Sequence, residues 1–323
     1  MVSVDVVKPG MLTTLQDGGR SGHAHLGIGR SGAFDAPALR IANALCGNPR
    51  DACVLEITLL GPTLQFQAPA WVAVTGAPVP LQIDGRDLPR WAPVQVPAGA
   101  RLSLGAMPRG CRSYLAVHGG FAGASVLGSR STDLNAALGP FDGRPLCVGD
   151  RLAIAPDAAS VSARATPGWW LDARPWFSDD PTQPLHLLPA RHQAHLTDAS
   201  RQALFAGAFT VQAASNRTGL RLQGPRLAWQ APFEVVSEGC VPGLLQLPPS
   251  GQPIVFGVEC PVSGGYPRIG QVAAIDLPRL AQARPGAVLR FESCTLAAAW
   301  RAQQKRERAL ADLETRIAAR LSA

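Results

Sequence analysis

Short apolar runs, β-branched and often alternating, recur along the chain between turns rich in glycine and proline. Residues 2–7 alternate weakly and predict a first strand. From residue 54 to 154 the pattern is strand, turn, strand, with turns at Gly61-Pro62, Asp84-Gly85, Pro97-Ala-Gly99 and Gly149-Asp150. Helical periodicity is confined to a few places. Asp35 is an N-cap for a helix over 36–45 that stops at Gly47, and Thr197-Asp198 opens a short helix over 199–205. In the tail, Leu310, Leu313, Ile317 and Leu321 recur at three- and four-residue steps, which predicts a helix over 296–323 with one apolar face. Residues 155–184 are rich in Ala, Ser, Pro and Asp and read as a connection.

A repeat is visible in the same pattern. Gly61-Pro-Thr-Leu-Gln-Phe-Gln-Ala-Pro69 matches Gly224-Pro-Arg-Leu-Ala-Trp-Gln-Ala-Pro232, and Arg30-Ser-Gly32 and Arg217-Thr-Gly219 precede the two copies. A repeated order of apolar and turn residues implies two related β modules. The expected boundaries are a first module over 1–160, a linker over 161–184, a second module over 185–295 and a C-terminal helix over 296–323. The 33 glycines and 29 prolines agree with a turn-rich β fold rather than a helical one.

The net charge of +7 suggests nucleic acid until the positions are read. Lys8 and Lys305 are the only lysines, the arginines are scattered, and two tyrosines are too few for base stacking, so nucleic acid is not an expected partner. Seven dispersed cysteines without a C-x-x-C pair, together with no signal peptide and no apolar run long enough to span a bilayer, predict a cytoplasmic protein with reduced thiols.

Candidate chemistry is sparse. Gly27-Ile-Gly-Arg-Ser-Gly32 fits a dinucleotide fingerprint by letter, but no buried strand precedes it. His192 and His195 lack an acidic partner for a zinc site, and no metal is expected. His118, ending an apolar strand before Gly119 and Gly120, either exchanges a proton with a ligand or closes a turn. Ser129, Arg130, Ser131 and Thr132 surround a guanidinium with hydroxyls, as a carboxylate or phosphate grip or as a turn. Arg217 and Glu238 are weaker candidates from the second module. Gln246 places an amide between Leu245 and Leu247, so it is either partnered in the core or at a site. Ser263, Gly264, Gly265 and Tyr266 combine two glycines that let a ligand approach the backbone with a hydroxyl and a phenol.

Ser263-Gly-Gly-Tyr-Pro-Arg-Ile-Gly270 resembles the Thr-Gly-Gly-Tyr-Pro-x-Ile-Gly signature of the bacterial 5-oxoprolinase C-subunit family, also described as allophanate hydrolase subunit 2 or biotin-dependent carboxyltransferase-like. Further stretches agree in order, among them Pro9-Gly with Gln16-Asp17 and Gly19-Arg20, Ser31-Gly-Ala with Asp35, Leu55-Glu-Ile-Thr58, Leu127-Gly-Ser-Arg-Ser-Thr132 and Gln246 to Pro249. Where the family carries an Asp-x-Gln-Thr-Thr-like run, this chain reads Glu259-Cys-Pro-Val-Ser263.

The resemblance implies a mainly β fold of two cyclophilin-like β-barrel domains, and a component of an ATP-dependent 5-oxoprolinase that opens the 5-oxoproline (pyroglutamate) lactam to glutamate. It implies homologues of the A and B subunits of 5-oxoprolinase as partners, with ATP bound with or by one of them. His118 and Arg130 would then be catalytic, and Ser129, Ser131, Arg217, Glu238, Gln246, Ser263, Gly264, Gly265 and Tyr266 would line the substrate. Two alternatives come with it. One is a carboxyltransferase component moving a carboxyl group from biotin to urea or a similar amide. The other is a non-catalytic regulatory partner of a kinase-inhibitor protein.

Overall fold

The computed structural model describes residues 3–155, 168–232 and 234–322. The first part of the expected linker, residues 161–167, lies outside them. The chain divides into two compact units, one of Met1–Arg20, Ser31–Ser178 and Ala309–Ala323, the other of Ser21–Arg30 and Asp179–Arg308. The fold is mainly β, as the turn-rich pattern predicts.

The first unit holds two sheets. One runs in the order Phe121–Ala122, Arg151–Ile154, Ser3–Lys8, Thr63–Phe66, Arg101–Leu104, Leu81–Ile83 and Arg86–Asp87. The other runs Leu12–Gln16, Val54–Thr58, Arg112–Val117, Ala70–Gly76 and Pro93–Val96. The strand Ala70–Gly76 is buried at every position, because helix α1 (Ala36–Leu45) packs against it. Asp35 caps α1 as expected, its side chain accepting from the Ala38 N–H.

A buried polar network fixes the chain entering α1. Glu56 Oε2 accepts from the Phe34 N–H and the Tyr114 hydroxyl, both at 2.8 Å, and Tyr114 Oη accepts from the Asp35 N–H at 2.7 Å. Burial above all, and then the Glu56 carboxylate, push the Tyr114 phenol well above its ordinary pKa, so it stays protonated and donating. Arg112 balances Glu56 from 3.4 Å and stacks over Phe34.

Two more helices follow in the second unit, α2 (Asp198–Ala206), capped by Thr197, and α3 (Leu277–Gln282). Its eight-stranded sheet runs Val288–Leu289, Phe209–Val211, Gly219–Gln223, Ile254–Phe256, Leu244–Gln246, Arg268–Val272, Leu185–Pro189 and Phe291–Ser293. Neighbours are antiparallel except for the last pair. Phe209 and Phe291 meet in its core with ring centroids 5.7 Å apart. The last helix, α4 (Leu296–Ser322), inserts Leu310, Leu313 and Ile317 into the core of the first unit, where Arg40 also grips Glu314 through two bonds of 2.8 and 3.0 Å.

The repeat keeps its glycines but not its strand. A Cβ on Gly61 would lie 2.4 Å from Leu104 Cβ, and one on Gly224 would lie 2.6 Å from Phe209, so both need a bare backbone. Thr63–Phe66 is a strand, whereas residues 224–232 contribute only an isolated bridge between Trp229 and Leu196.

Candidate functional site

In the second unit, the Gly264-Gly265 pair is built into a two-stranded ribbon. Ser263–Gly264 pairs with Glu238–Gly239, Glu238 lying opposite Gly264. Beneath the ribbon, Leu244–Gln246 and Arg268–Val272 pair with a register shift between Leu245 and Gln246. Such a bulge re-aims the side chain that follows it. Gln246, 1 % exposed, meets the underside of the ribbon: a Cβ on Gly264 would come within 3.1 Å of Gln246 Nε2 and of Cys240 Sγ. A Cβ on Gly265 would come within 3.2 Å of Ser237 Oγ. Glycine at both places therefore lets the ribbon backbone pack directly on an amide, a thiol and a hydroxyl.

Charged groups flank the ribbon. Glu238 accepts from Arg191 Nη1 at 2.9 Å and pairs with Arg268 Nη2 at 3.2 Å. His192 Nδ1 accepts the Arg268 backbone N–H at 3.0 Å, which requires an unprotonated nitrogen. Burial lowers the His192 pKa against the pull of Glu238, so the ring is neutral when it holds Arg268. Burial also pushes the Cys240 thiol up, opposed by Arg268, and lifts Cys260 to about 12. Neither is a thiolate at neutral pH.

Of the residues singled out in the sequence, Glu238, Gln246, Ser263, Gly264 and Gly265 come together here, and Tyr266 stands at the rim, 47 % exposed. Arg217 is engaged elsewhere. Its Nε donates to Glu259 Oε1 at 2.6 Å, with both side chains 2 % exposed.

In the first unit, Asp17 organises the loop over residues 127–132. Its Oδ1 accepts from Ser129 Oγ and Ser131 Oγ, each at 2.6 Å, and from the Gly19 N–H at 2.8 Å, while Oδ2 accepts the Arg130 N–H at 2.6 Å. The hydroxyls of Ser129 and Ser131 are thus turned inward and buried, and the side chains of Leu127 and Arg130 are exposed. Leu127, at φ +53°, carries backbone strain for the turn. Arg20 is buried beside this loop, with Nη2 donating to the Ser131 carbonyl and Nε and Nη1 without a partner among the described residues.

His118 lies at the end of strand Arg112–Val117. Its Nδ1–H donates to the Cys46 carbonyl at 2.7 Å, which leaves Nε2 as the acceptor. No hydrogen bond among the described residues joins it to the Asp17 loop. No group of three or more His, Cys, Asp or Glu among them could hold a metal ion, and no helix among them is long and apolar enough to cross a membrane. Asp17, Arg20, Arg191, Cys240 and Arg268 were not evident as site residues, since only long-range pairing brings them to their partners.

The family model described as carboxyltransferase domain, subdomain A and B, matches residues 26–293. The chain belongs to this carboxyltransferase-domain family. The resemblance drawn from residues 263–270 holds along nearly its whole length. It is 38% identical over 315 residues to the 5-oxoprolinase C subunit of Escherichia coli (strain K12), covering 97% of this chain and 98% of that protein. To the 5-oxoprolinase C subunit of Haemophilus influenzae it is 35% identical, covering 94% and 95%. Among solved structures, the urea amidolyase of K. lactis superposes with a TM-score of 0.87 at 28% identity, over 95% of this chain but only 20% of the amidolyase. TTHA0988 superposes with a TM-score of 0.78 at 33% identity, over 91% and 56%. In this carboxyltransferase-domain chain the family match takes in the whole Gln246–Gly264 cleft, His118 and Arg130, whereas Asp17 and Arg20 precede it.

Proposed function

We propose that this chain is one component of an ATP-dependent 5-oxoprolinase, working with homologues of the A and B subunits to open the 5-oxoproline lactam to glutamate. The observation that carries this reading is the end-to-end likeness to two 5-oxoprolinase C subunits, in contrast to the fraction of a urea amidolyase that the chain spans. The Gln246–Gly264 cleft is the lactam-binding part of this reading, with Glu238 and Arg268 as its charged rim. In the first unit, Arg130 is the exposed anion grip, and His118 carries a proton through its free Nε2.

ATP is a co-substrate for which this chain offers no phosphate cradle in its glycine-rich stretch. The helix after Gly27–Gly32 is capped by Asp35, whose carboxylate already takes an N–H of the first turn and would repel phosphate. Its binding is assigned to a partner. The test is ATP hydrolysis by the purified assembly of this chain with both partner homologues. Turnover that needs both 5-oxoproline and this chain supports the reading; ATP turnover indifferent to either one removes it. His118→Ala and Arg130→Ala in that assembly test the two roles in the first unit.

A second reading, carboxyl transfer from a biotin carried on another protein to urea or a similar amide, is favoured by the close superposition on a urea amidolyase. Urea-dependent consumption of carboxybiotin, with no response to 5-oxoproline, would select it.

A further inference from the structure

The segment that ends α1 holds His118 in two ways at once. Cys46, which caps α1 at its C-terminal end, offers its carbonyl to the imidazole Nδ1 at 2.7 Å. Two residues on, the Asn48 carboxamide spans the backbone on either side of His118. Its Nδ2 donates to the Val117 carbonyl at 2.7 Å, and its Oδ1 accepts the Gly119 N–H at 2.8 Å. The chain turns tightly between these two bonds. The Gly120 N–H donates to the Val117 carbonyl at 2.8 Å, and Gly119 takes φ +86°, where a side chain would be strained.

The way the Asn48 amide faces is fixed from behind. Asn43, fully buried on α1, donates from Nδ2 to the Ala52 carbonyl at 2.8 Å, so its Oδ1 is left to accept from Asn48 Nδ2 at 3.1 Å. With one Nδ2 hydrogen on Asn43 and the other on Val117, the Asn48 oxygen is the atom that faces the Gly119 N–H. The Asn48 N–H donates in turn to the Asn43 carbonyl at 2.9 Å. The acceptor of His118 and the clamp on its backbone therefore belong to one stretch, residues 46–48, and move together.

We propose that Asn48, oriented by Asn43, is a positioning residue that holds His118 as the Nδ1–H tautomer and keeps Nε2 as the base. An imidazole on an unclamped backbone can donate from either nitrogen. Fixing residues 117–119 against residue 46 sets the Cys46 carbonyl opposite Nδ1, and Nε2 has no hydrogen-bond partner among the described residues. No carboxylate pairs with this ring among them, so a backbone carbonyl held in place does the orienting. That the proton so carried serves lactam opening rests on the 5-oxoprolinase reading; the positioning does not.

The test reads the tautomer itself. Long-range 1H–15N correlation spectra of the 15N-labelled full-length chain display its six histidines, and His118→Gln assigns the signal. In mildly alkaline buffer, wild-type His118 is expected as a single Nδ1–H tautomer. Asn48→Ala and Asn48→Asp should each turn it into a mixture. The Asp variant keeps the size of the side chain and the acceptor for Gly119 but loses both donors, so it decides the question if the Ala variant does not fold. In the assembly with both partner homologues, the same variants should lower kcat for 5-oxoproline-dependent ATP hydrolysis at least about tenfold at unchanged KM, since a well-placed base is worth about 10²–10⁴ in rate. An Asn48 that only held the fold would lower the melting temperature when replaced and leave the tautomer as it is.

Wild-type His118 found as the Nε2–H tautomer or as an even mixture overturns the proposal before any variant is made. A folded Asn48 variant that keeps the single Nδ1–H tautomer also overturns it, and leaves the 5-oxoprolinase reading intact if the wild-type assembly turns over 5-oxoproline. Mixed tautomers in the Asn48 variants, with no 5-oxoproline-dependent turnover by the wild-type assembly, keep the positioning and remove that reading.

Discussion

The buried pair of Arg217 and Glu259 allows a sharp test of whether a guanidinium is a ligand grip or part of the framework. The two side chains meet at 2.6 Å, each 2 % exposed, and the Glu259 N–H also donates to the Arg217 carbonyl at 3.1 Å. Replacing Arg217 by Ala leaves a buried carboxylate without its guanidinium. Removing one partner of such a pair costs about 3–5 kcal/mol. For a unit of this size each kcal/mol is worth about 3 °C in melting temperature, so the variant should melt about 10–15 °C lower. The double replacement Arg217→Met with Glu259→Leu removes both charges and should return to within about 1 kcal/mol of wild type, because the desolvation penalty goes with the attraction. Calorimetry on wild type, both single variants and the double variant closes the cycle. A single variant that melts within about 2 °C of wild type would refute the argument, since no framework pair this buried could be lost with so small an effect.

Asp17→Ala should lower stability by about 3 kcal/mol, since four hydrogen bonds end on that carboxylate, and should free residues 127–132 to fast amide exchange, read by mass spectrometry. The Asp150 carboxyl is held below its ordinary pKa, first by hydrogen bonds from Arg144 and also by the Cys147 N–H. With the folded pKa depressed, its stabilisation is complete above the unfolded carboxyl pKa and fades as pH falls through the folded one. Asp150→Asn should therefore cost up to about 1 kcal/mol at pH 7 and progressively less as pH falls below the unfolded carboxyl pKa, compared by denaturant titration across that range. Iodoacetamide at pH 8 should label exposed Cys147 in the native protein, while Cys46, Cys53 and Cys260, whose thiols burial pushes up, react only after denaturation. Peptide mapping reads the order, and native labelling of Cys46 would contradict its burial, with Sγ 3.9 Å from the Trp71 carbonyl.

Local signals in the chain were legible where the chemistry is local. Asp35 and Thr197 cap α1 and α2 because each needs only an oxygen two or three residues ahead of an N–H. The helix α3 escaped notice: Leu277-Pro-Arg-Leu-Ala-Gln282 is too short for a period to show and reads as a polar link after an apolar run. Residues 224–232 repeat the letters of a strand, yet a strand also needs a neighbour to pair with, which a local pattern does not encode.

The site divides the same way. Gln246 was conspicuous as an amide inside an apolar run, and the two glycines as a place for close approach. Arg217 looked like a grip because the residue that neutralises it lies 42 positions away. Ser129 and Ser131 looked like ligand hydroxyls because Asp17, which claims both, lies more than a hundred positions upstream.

The placement of Leu310, Leu313 and Ile317 bears on how the chain acquires its shape during synthesis. The first unit draws most of its core from residues before 178, but that core also includes these three side chains of α4. At ribosomal rates of roughly 5–20 residues per second, about 150 residues separate the last strand of this core from its closing helix, a wait of about 10–30 s. In that interval the apolar ground that receives α4 stands open, and most of the second unit, Asp179–Arg308, emerges whole in the meantime. Assembly should thus run against the order of synthesis, the later unit maturing before the earlier one is sealed. A nascent chain stalled before residue 310 should still be a client for chaperones that recognise exposed apolar surface.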